Sequence, residues 1–311
     1  MSETHTFTVA QTESGQTLAA LARKHGLATT WNEAKRLATT GKLFVDGEAL
    51  IDPVARPAAG SVVELKMTAP RFAAKPPGEI VFDDSQIVVF DKPAGISSVP
   101  YDERETNTAM DLIRGHWRAE GKKATEVALH ILHRIDKETS GLIVFAKTKS
   151  AEKKLAALFR THEIERTYLC VAHGTLTDRR LESRLVDDRG DGLRGSTRAL
   201  HEGKRAVTHV HVIGPIGPHA TLCEVKLETG KTHQIRIHMA ENGHPLVGEK
   251  VYIRDFTERD NEPLPATRLL LHAATLGFPH PVTGAPLRFE SKPPPEFDRA
   301  IRTLTRLSAS L

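Results

Sequence analysis

A proline-rich interruption at residues 68–79, Thr-Ala-Pro-Arg-Phe-Ala-Ala-Lys-Pro-Pro-Gly-Glu, divides this chain: no helical or strand periodicity crosses it, and its prolines remove donors from any regular ladder. At 311 residues the chain also exceeds an ordinary single domain. The expected organisation is a small unit at 1–69, with its core at about 15–67, a linker at 70–79, and a larger unit at 80–311.

Before the break, Leu18, Leu21 and Ala22 share a helical face that stops at Gly26. A second helix begins at Thr30, where Glu33 completes a capping box, runs through Trp31, Ala34, Leu37 and Ala38, and ends at Gly41. Its Lys35 and Arg36 should point outward. The pair Asp46-Gly47 reads as a hairpin turn, and Ser61 to Leu65 as a strand.

Beyond the break, Ile80 to Phe82 and Ile87 to Phe90 read as buried strands, while Met110, Ile113 and Trp117 share a helical face. Leu142 to Phe145 is another strand, followed by a helix capped at Ser150 that carries Leu155, Leu158 and Phe159. Strands then dominate at Tyr168 to Val171, Val210 to Ile213 and Leu222 to Glu228, before a last helix around Phe297, Ile301 and Leu304. Helices and strands mix without regular βαβ alternation. The expected class is therefore α+β: a large, mostly antiparallel mixed sheet flanked by helices and loops, plus a small N-terminal α/β unit.

With 39% hydrophobic and 26% charged residues, the chain has the apolar surface for a core and is not mainly disordered. A net charge of +4, a pI near 9.0 and 16 histidines are compatible with an anionic partner. Cys170 and Cys223 are the only cysteines, too few for a disulfide framework or a Cys-rich zinc site, and a reducing cytoplasm fits them. Met1 to Ala10 shows no basic region followed by an apolar one, and no apolar run approaches the ~18 residues of a membrane span. No membrane association is expected.

The densest polar cluster is His133-Arg134-Ile135-Asp136-Lys137-Glu138-Thr139-Ser140-Gly141, set directly before an apolar strand. Loops feeding a rigid strand commonly carry chemistry. An aspartate between arginine and lysine is favoured as the carboxylate, which suits a nucleophile better than a general acid. On spacing alone a polar turn with a capping aspartate explains the cluster equally well.

The stretch "HRIDKETSGLIVFAKT" resembles the signature of the RluA-type pseudouridine synthase family, His-Arg-Leu-Asp followed by Thr-Ser-Gly and an aliphatic run. Asp91 to Pro100, Arg166 to Gly174, Glu228 to Met239 and Arg268 to Ala273 match further segments in the family's order, so the resemblance spans about residues 80–295. It implies that Asp136 is the nucleophile that breaks the N-glycosidic bond of a uridine so that the uracil turns and a carbon–carbon glycosidic bond forms. It further implies that Arg134 flips the target nucleotide, which stacking otherwise buries. Tyr168 would stack on the uracil and Arg236 would pair with the aspartate. His133 and Lys231, in the same segments, are the other expected substrate contacts. Residues 15–67 resemble the small RNA-binding domain named for the ribosomal S-four protein, which would bring Lys35, Arg36 and Lys42 to RNA.

The implied activity is isomerisation of specific uridines in structured RNA by a monomeric cytoplasmic enzyme without metal or organic cofactor. Large-subunit ribosomal RNA is the favoured substrate, with transfer RNA, or both, as the alternative. Without the resemblance, Tyr168 reads as core and Arg236, between Ile235 and Ile237, as the solvent face of a strand. A glycosidase using Asp136 and Glu138 and a non-catalytic RNA chaperone are the rival functions. His130, His133, His209, His211, His233 and His238 lack the spacing of a zinc motif. Gly230-Lys231-Thr232 ends like a phosphate-binding loop, but Val225 stands where its first glycine is needed and a strand pattern follows.

Departures from the family are mostly conservative: Ile135 for leucine, Cys170 for alanine, Arg166 for lysine. Ser98-Val99-Pro100 replaces a segment in which many relatives carry histidine. This variant resembles the branch acting on both ribosomal and transfer RNA, although that branch typically lacks the N-terminal domain. Glu249 stands for a usual aspartate.

Overall fold

Threonine hydroxyls open both helices of the N-terminal region: Thr17 accepts the Ala20 N–H ahead of α1 (Leu18–Lys24), and Thr30 the Glu33 N–H ahead of α2 (Trp31–Thr39). The Glu33 carboxylate reaches one residue further out than a capping box requires, to the N–H and hydroxyl of Thr29 at 2.8 Å each. The computed structural model describes residues 5–69, 76–102, 105–122, 127–199 and 201–308, divided into the compact units Met1–Pro76 and Pro77–Leu311. Residues 70–75 of the expected linker lie outside the described residues.

In the first unit, Asp46 and Gly47 take φ of 51° and 86° in the turn between β2 (Leu43–Val45) and β3 (Glu48–Ala49). Such a two-residue hairpin requires this positive φ at both positions. With β4 (Val62–Leu65) and β1 (His5–Thr8), a strand the sequence reading did not include, they form an antiparallel sheet in the order β1-β4-β2-β3. Leu18, Leu21, Ala34, Leu37, Leu43 and Val63 pack its core. Trp31, placed with the buried face by the sequence pattern, is 49% exposed and lies under the Arg23 guanidinium, 4.7 Å from the ring centroid. Being the first residue of the helix, it projects beyond the packed turns. Lys35 and Arg36 are exposed, whereas Lys42 donates to the carbonyls of Met67 and Ala69.

The second unit begins with β5 (Glu79–Asp83) and β6 (Ile87–Lys92), then α3 (Ala109–Ala119), β7 (His130–Ile131), β8 (Ser140–Ala146) and α4 (Lys149–Thr161). Next come β9 (Glu165–His173), β10 (Arg179–Val186), β11 (Gly195–Thr197), β12 (Lys204–Ile216) and β13 (Ala220–Leu227). The chain closes with α5 (Gln234–Glu241), α6 (Arg254–Thr257), β14 (Leu271–Pro279), β15 (Pro286–Glu290) and α7 (Pro295–Ser308). Its eleven strands form one sheet ordered β11-β10-β12-β13-β9-β14-β8-β6-β5, with β15 on β14 and β7 on β8. Every pairing is antiparallel except β14 with β8, where His272 and Ala273 face Ser140 and Gly141. The α+β class with a large, mostly antiparallel mixed sheet is therefore the observed one.

β8 is buried on both faces, which explains its uninterrupted apolar run. Leu142 and Val144 pack towards Ala151 and Leu155 of α4, Ile143 and Phe145 towards Ile113 and Trp117 of α3. α4 is capped by Thr148 and not by Ser150: the Thr148 hydroxyl accepts the Ala151 N–H at 3.2 Å. β5 is not a buried strand; it is the sheet's edge, with Val81 38% exposed. At the single parallel junction Gly141 takes φ of 111°, and a Cβ there would fall 2.2 Å from the Ala273 carbonyl oxygen. Only glycine permits that approach.

The largest difference from the sequence reading is at Gln234 to Met239, a strand by pattern and the helix α5 in the structure. All six residues are buried, so the helix has no polar face to give the sequence a helical rhythm. Gln234 anchors it, accepting from Thr229 Oγ1 and Lys231 N while donating to Val207 O and Thr208 Oγ1. The segment Gly230-Lys231-Thr232 is thus followed by a helix after all, but Val225, where a phosphate-binding loop needs its first glycine, lies inside β13, so the loop is too short to be one.

Candidate active site

The polar loop 132–139 enters the sheet where β8 meets β14, and its backbone is fixed before any substrate arrives. Ser98, buried, donates its hydroxyl proton to Ile135 O at 2.7 Å and accepts the Ile135 N–H at 3.1 Å. The Gly95 N–H donates to Lys137 O at 2.8 Å. Lys92, wholly buried, donates to the carbonyls of Pro93, Ile96 and Lys137 at 2.9, 2.7 and 3.2 Å. Burial pushes its ammonium down to about 7, assisted by Arg268 and opposed by Asp136 and Glu138. Thr139 N–H closes the turn on Asp136 O at 3.1 Å. Asp136 is thereby presented by a loop held from both sides.

Ser98 lies in the segment that departs from the family, and its single hydroxyl satisfies both backbone polar groups of Ile135, the residue before Asp136. Ser98→Ala would leave two buried backbone groups without partners, at ~1–3 kcal/mol for an unsatisfied group. We expect a stability loss of about 2 kcal/mol and a kcat about tenfold lower from misplacement of the loop, read by thermal melting and steady-state kinetics.

Asp136 faces a cavity of about 480 Å³. His133, Arg134, Asp136, Tyr168, Lys231 and Arg236 all line it, contributed by the loop, β9, the segment after β13, and α5. Arg236 Nη1 lies 3.6 Å from Asp136 Oδ2, and His233 Nε2 4.0 Å from Asp136 Oδ1. Arg236 is a buried helix residue and not the exposed strand residue suggested by alternation. Its other edge is bound by Glu249 at 2.8 Å (Nε to Oε2) and 2.7 Å (Nη2 to Oε1), a bidentate pair that fixes the guanidinium plane. Burial alone would raise Glu249; the Arg236 guanidinium and the N–H groups of Val251 and Tyr252 outweigh it and hold the carboxyl below its usual range. Burial likewise opposes the charge on Arg236, and Glu249 and Asp136 overcome it, so its affinity for the proton is raised.

Tyr168 is 8% exposed, and burial pushes its hydroxyl up. It packs in the core, as its place in an apolar strand suggests, and also lines the cavity. His133 stacks on Phe159 with centroids 4.7 Å apart, and its Nε2 accepts the Val144 N–H at 3.2 Å. Burial, with the Arg166 charge, pushes it down to about 3, so the ring is neutral at pH 7. Arg134 is exposed and lines both this cavity and a neighbouring one. Lys35 and Arg36 lie in the first unit.

Several contributors were named in the sequence analysis without a role at this site. His233 adopts φ of 57° just ahead of α5, its Nδ1 2.7 Å from Tyr252 Oη, and burial pushes the ring below its ordinary value. Arg166 Nε and Thr139 Oγ1 are buried without a hydrogen-bond partner, and both residues line the cavity. Ser140, which begins β8, is held by Arg268 Nη2 and His272 Nδ1 at 2.9 Å each. The histidines considered as metal ligands are dispersed: His130 meets Glu152, His209 meets Glu228, His211 meets Asp178, and His238 meets Thr208. Among the described residues no three His, Cys, Asp or Glu side chains converge as ligands, and no helix is long and apolar enough to cross a membrane.

Residues 86–241, which include Asp136, Tyr168 and Arg236, match the RNA pseudouridylate synthase family. The ribosomal large subunit pseudouridine synthase D of Zymomonas mobilis is 37% identical over 232 residues, covering 73% of each chain. The protein of the same name from Pseudomonas aeruginosa is 35% identical over 272 residues, 83% of this chain and 82% of its own length. A solved structure of human RNA pseudouridylate synthase domain containing 1 superposes with a TM-score of 0.58 at 19% identity, over 76% of this chain and 97% of that one, a likeness of fold. The chain belongs to the RluA-type family and is an RNA pseudouridine synthase, an isomerase acting on RNA.

Proposed function

We propose that the substrate is large-subunit ribosomal RNA and that Asp136 is the nucleophile. The observation that carries the site is the cavity in which the Asp136 carboxylate sits 3.6 Å from an arginine whose own position is fixed by a buried glutamate. A carboxylate so placed is aimed by a fixed cation, as nucleophilic attack requires. Attack on the nucleoside forms a bond to the Asp136 carboxylate as the N1–C1′ bond breaks and the uracil turns. C5 then bonds to C1′, the carboxylate is released, and the proton lost from C5 is balanced by one gained at N1.

The remaining roles follow from position. Tyr168 offers a ring against which a uracil can stack. Arg134, exposed at the border of two cavities, is placed to occupy the space of a nucleotide flipped out of its stack. Lys231 and the unpartnered Arg166 Nε and Thr139 Oγ1 are donors for the nucleotide's phosphate and polar edges. His133, committed to Val144 and Phe159, acts by shaping the wall. We assign Lys35 and Arg36, exposed on α2, to a second RNA contact made by the N-terminal unit as a whole, in a monomeric cytoplasmic protein.

The names of the bacterial relatives above favour ribosomal RNA. Mapping pseudouridines in total RNA from cells lacking this protein should show one or a few large-subunit positions reverting to uridine. Loss confined to transfer RNA would move the substrate there, and no change in either RNA would refute the assignment.

A further inference from the structure

A second cavity of about 550 Å³ adjoins the active one, and the two share Gly230, Lys231 and Thr232 as a common wall. Its other sides come from the end of β10, the segment before β11 and the start of β12, contributing Asp187, Arg194 and Lys204. Gly203, at φ of 70°, passes close over β10: a Cβ there would lie 2.8 Å from Leu185 O. Cations outnumber anions around this space. Arg194 pairs with Asp187, which is itself exposed, while Lys204 and Lys231 have no ion-pair partner among the described residues. On the active-site side of the wall, Arg166 lies against Gly230 with its Nε unpartnered. Arg194 is near enough for its charge to act on His233 and Tyr252.

A strand whose target nucleotide lies against Asp136 must leave that cavity over one of its walls. The Arg166 guanidinium occupies the space over Gly230, where a Cβ would fall 2.6 Å from its Nη1, so a phosphate crossing the wall meets a cation there and further cations beyond it. We propose that this second cavity is a subsite for the nucleotide adjoining the target uridine, with the linking phosphate crossing the Gly230–Thr232 wall and the following phosphate held by Lys204 and Arg194. The proposal rests on the target occupying the Asp136 cavity. It implies that the enzyme grips an unpaired segment, because a paired neighbour is tied to its complement and could not enter.

The test uses uridine tritiated at C5 in total RNA from cells lacking this protein, since turnover breaks the C5–H bond and releases the label. For Lys204→Ala and Arg194→Ala in the full chain, KM should rise about fivefold each with kcat within about twofold. The slope of log(kcat/KM) against log salt should become shallower by about 0.7 for each cation removed, the value for single strands. Lys204→Arg should restore both quantities. Unchanged KM and salt slope in the alanine variants, a loss confined to kcat, or a Lys204→Arg enzyme as weak as Lys204→Ala would overturn the subsite. Separate assays of the ribosomal and transfer RNA fractions judge the substrate assignment independently, and retained turnover in Asp136→Asn would refute the site on which the subsite depends.

Discussion

Glu249→Ala should lower the stability of the second unit by about 3–5 kcal/mol, the usual cost of stranding one member of a buried ion pair. In a unit of this size that corresponds to a fall in Tm of about 10 °C. Removing the carboxylate leaves Arg236 buried with only Asp136 nearby, and strips the acceptor from the N–H groups of Lys250, Val251 and Tyr252. Activity should fall with stability, because the bidentate pair that fixes the guanidinium plane is lost and only the Tyr252 ring, 5.3 Å from Arg236 Cζ, and Asp136 remain against it. Glu249→Asp keeps the charge one methylene short and should lose less of both. Arg236→Met with Glu249→Leu should recover much of the stability, since apolar replacement of a whole buried pair is often neutral, yet remain inactive. The pH dependence has a definite sign. Glu249 titrates below its ordinary value in the folded state, so its contribution is present above the unfolded value of ~4.3 and fades as pH falls through the lowered folded one. The gap between wild type and Glu249→Ala should therefore narrow in acid. Melting curves across pH check this, and a gap independent of pH would contradict the role given to the pair.

The residues that meet at the cavity were legible in the sequence because they stand in short runs whose order is itself informative. Asp136 sits in a polar cluster against an apolar strand, and Tyr168 and Arg236 in matched segments. The hairpin at Asp46-Gly47 and the helix of Ile113 and Trp117 were legible for a local reason: turn chemistry and amphipathic spacing. What stayed hidden depends on contacts between distant segments. α5 reads as a strand because burial on every side erases the polar stripe by which a surface helix is recognised. Glu249, an unremarkable departure in one dimension, becomes the anchor of Arg236 only when the chain after α5 returns towards the helix. Ser98 drew notice for lacking a histidine. Its hydroxyl matters because it meets the Ile135 peptide 37 residues away. The double covering of β8 was visible in its composition, whereas the exposure of β5 follows from its place at the sheet's edge.

Asp136→Asn is the change with the largest expected effect on catalysis. The amide is nearly the same size, so the loop pinned by Ser98, Gly95 and Lys92 should keep its course and the protein its fold. An amide has no anionic oxygen to attack with and no charge to pair with Arg236. Nucleophile removal in enzymes that work through a covalent step costs on the order of 10⁴–10⁶ in kcat, and a loss of at least ~10⁴ is expected here. RNA binding should survive, because Arg134, Lys231 and the basic rim are untouched. A glycosidase would lose activity too, but the wild-type enzyme would then leave abasic sites in place of pseudouridine. An RNA chaperone would lose nothing. The most direct measurement is single-turnover pseudouridine formation by wild type and Asp136→Asn on the same unmodified RNA, with the dissociation constant of each complex determined in parallel. The structure predicts pseudouridine from wild type only, with dissociation constants within about threefold of each other. Pseudouridine formed by Asp136→Asn at a rate near wild type would contradict the assignment of Asp136 as the nucleophile.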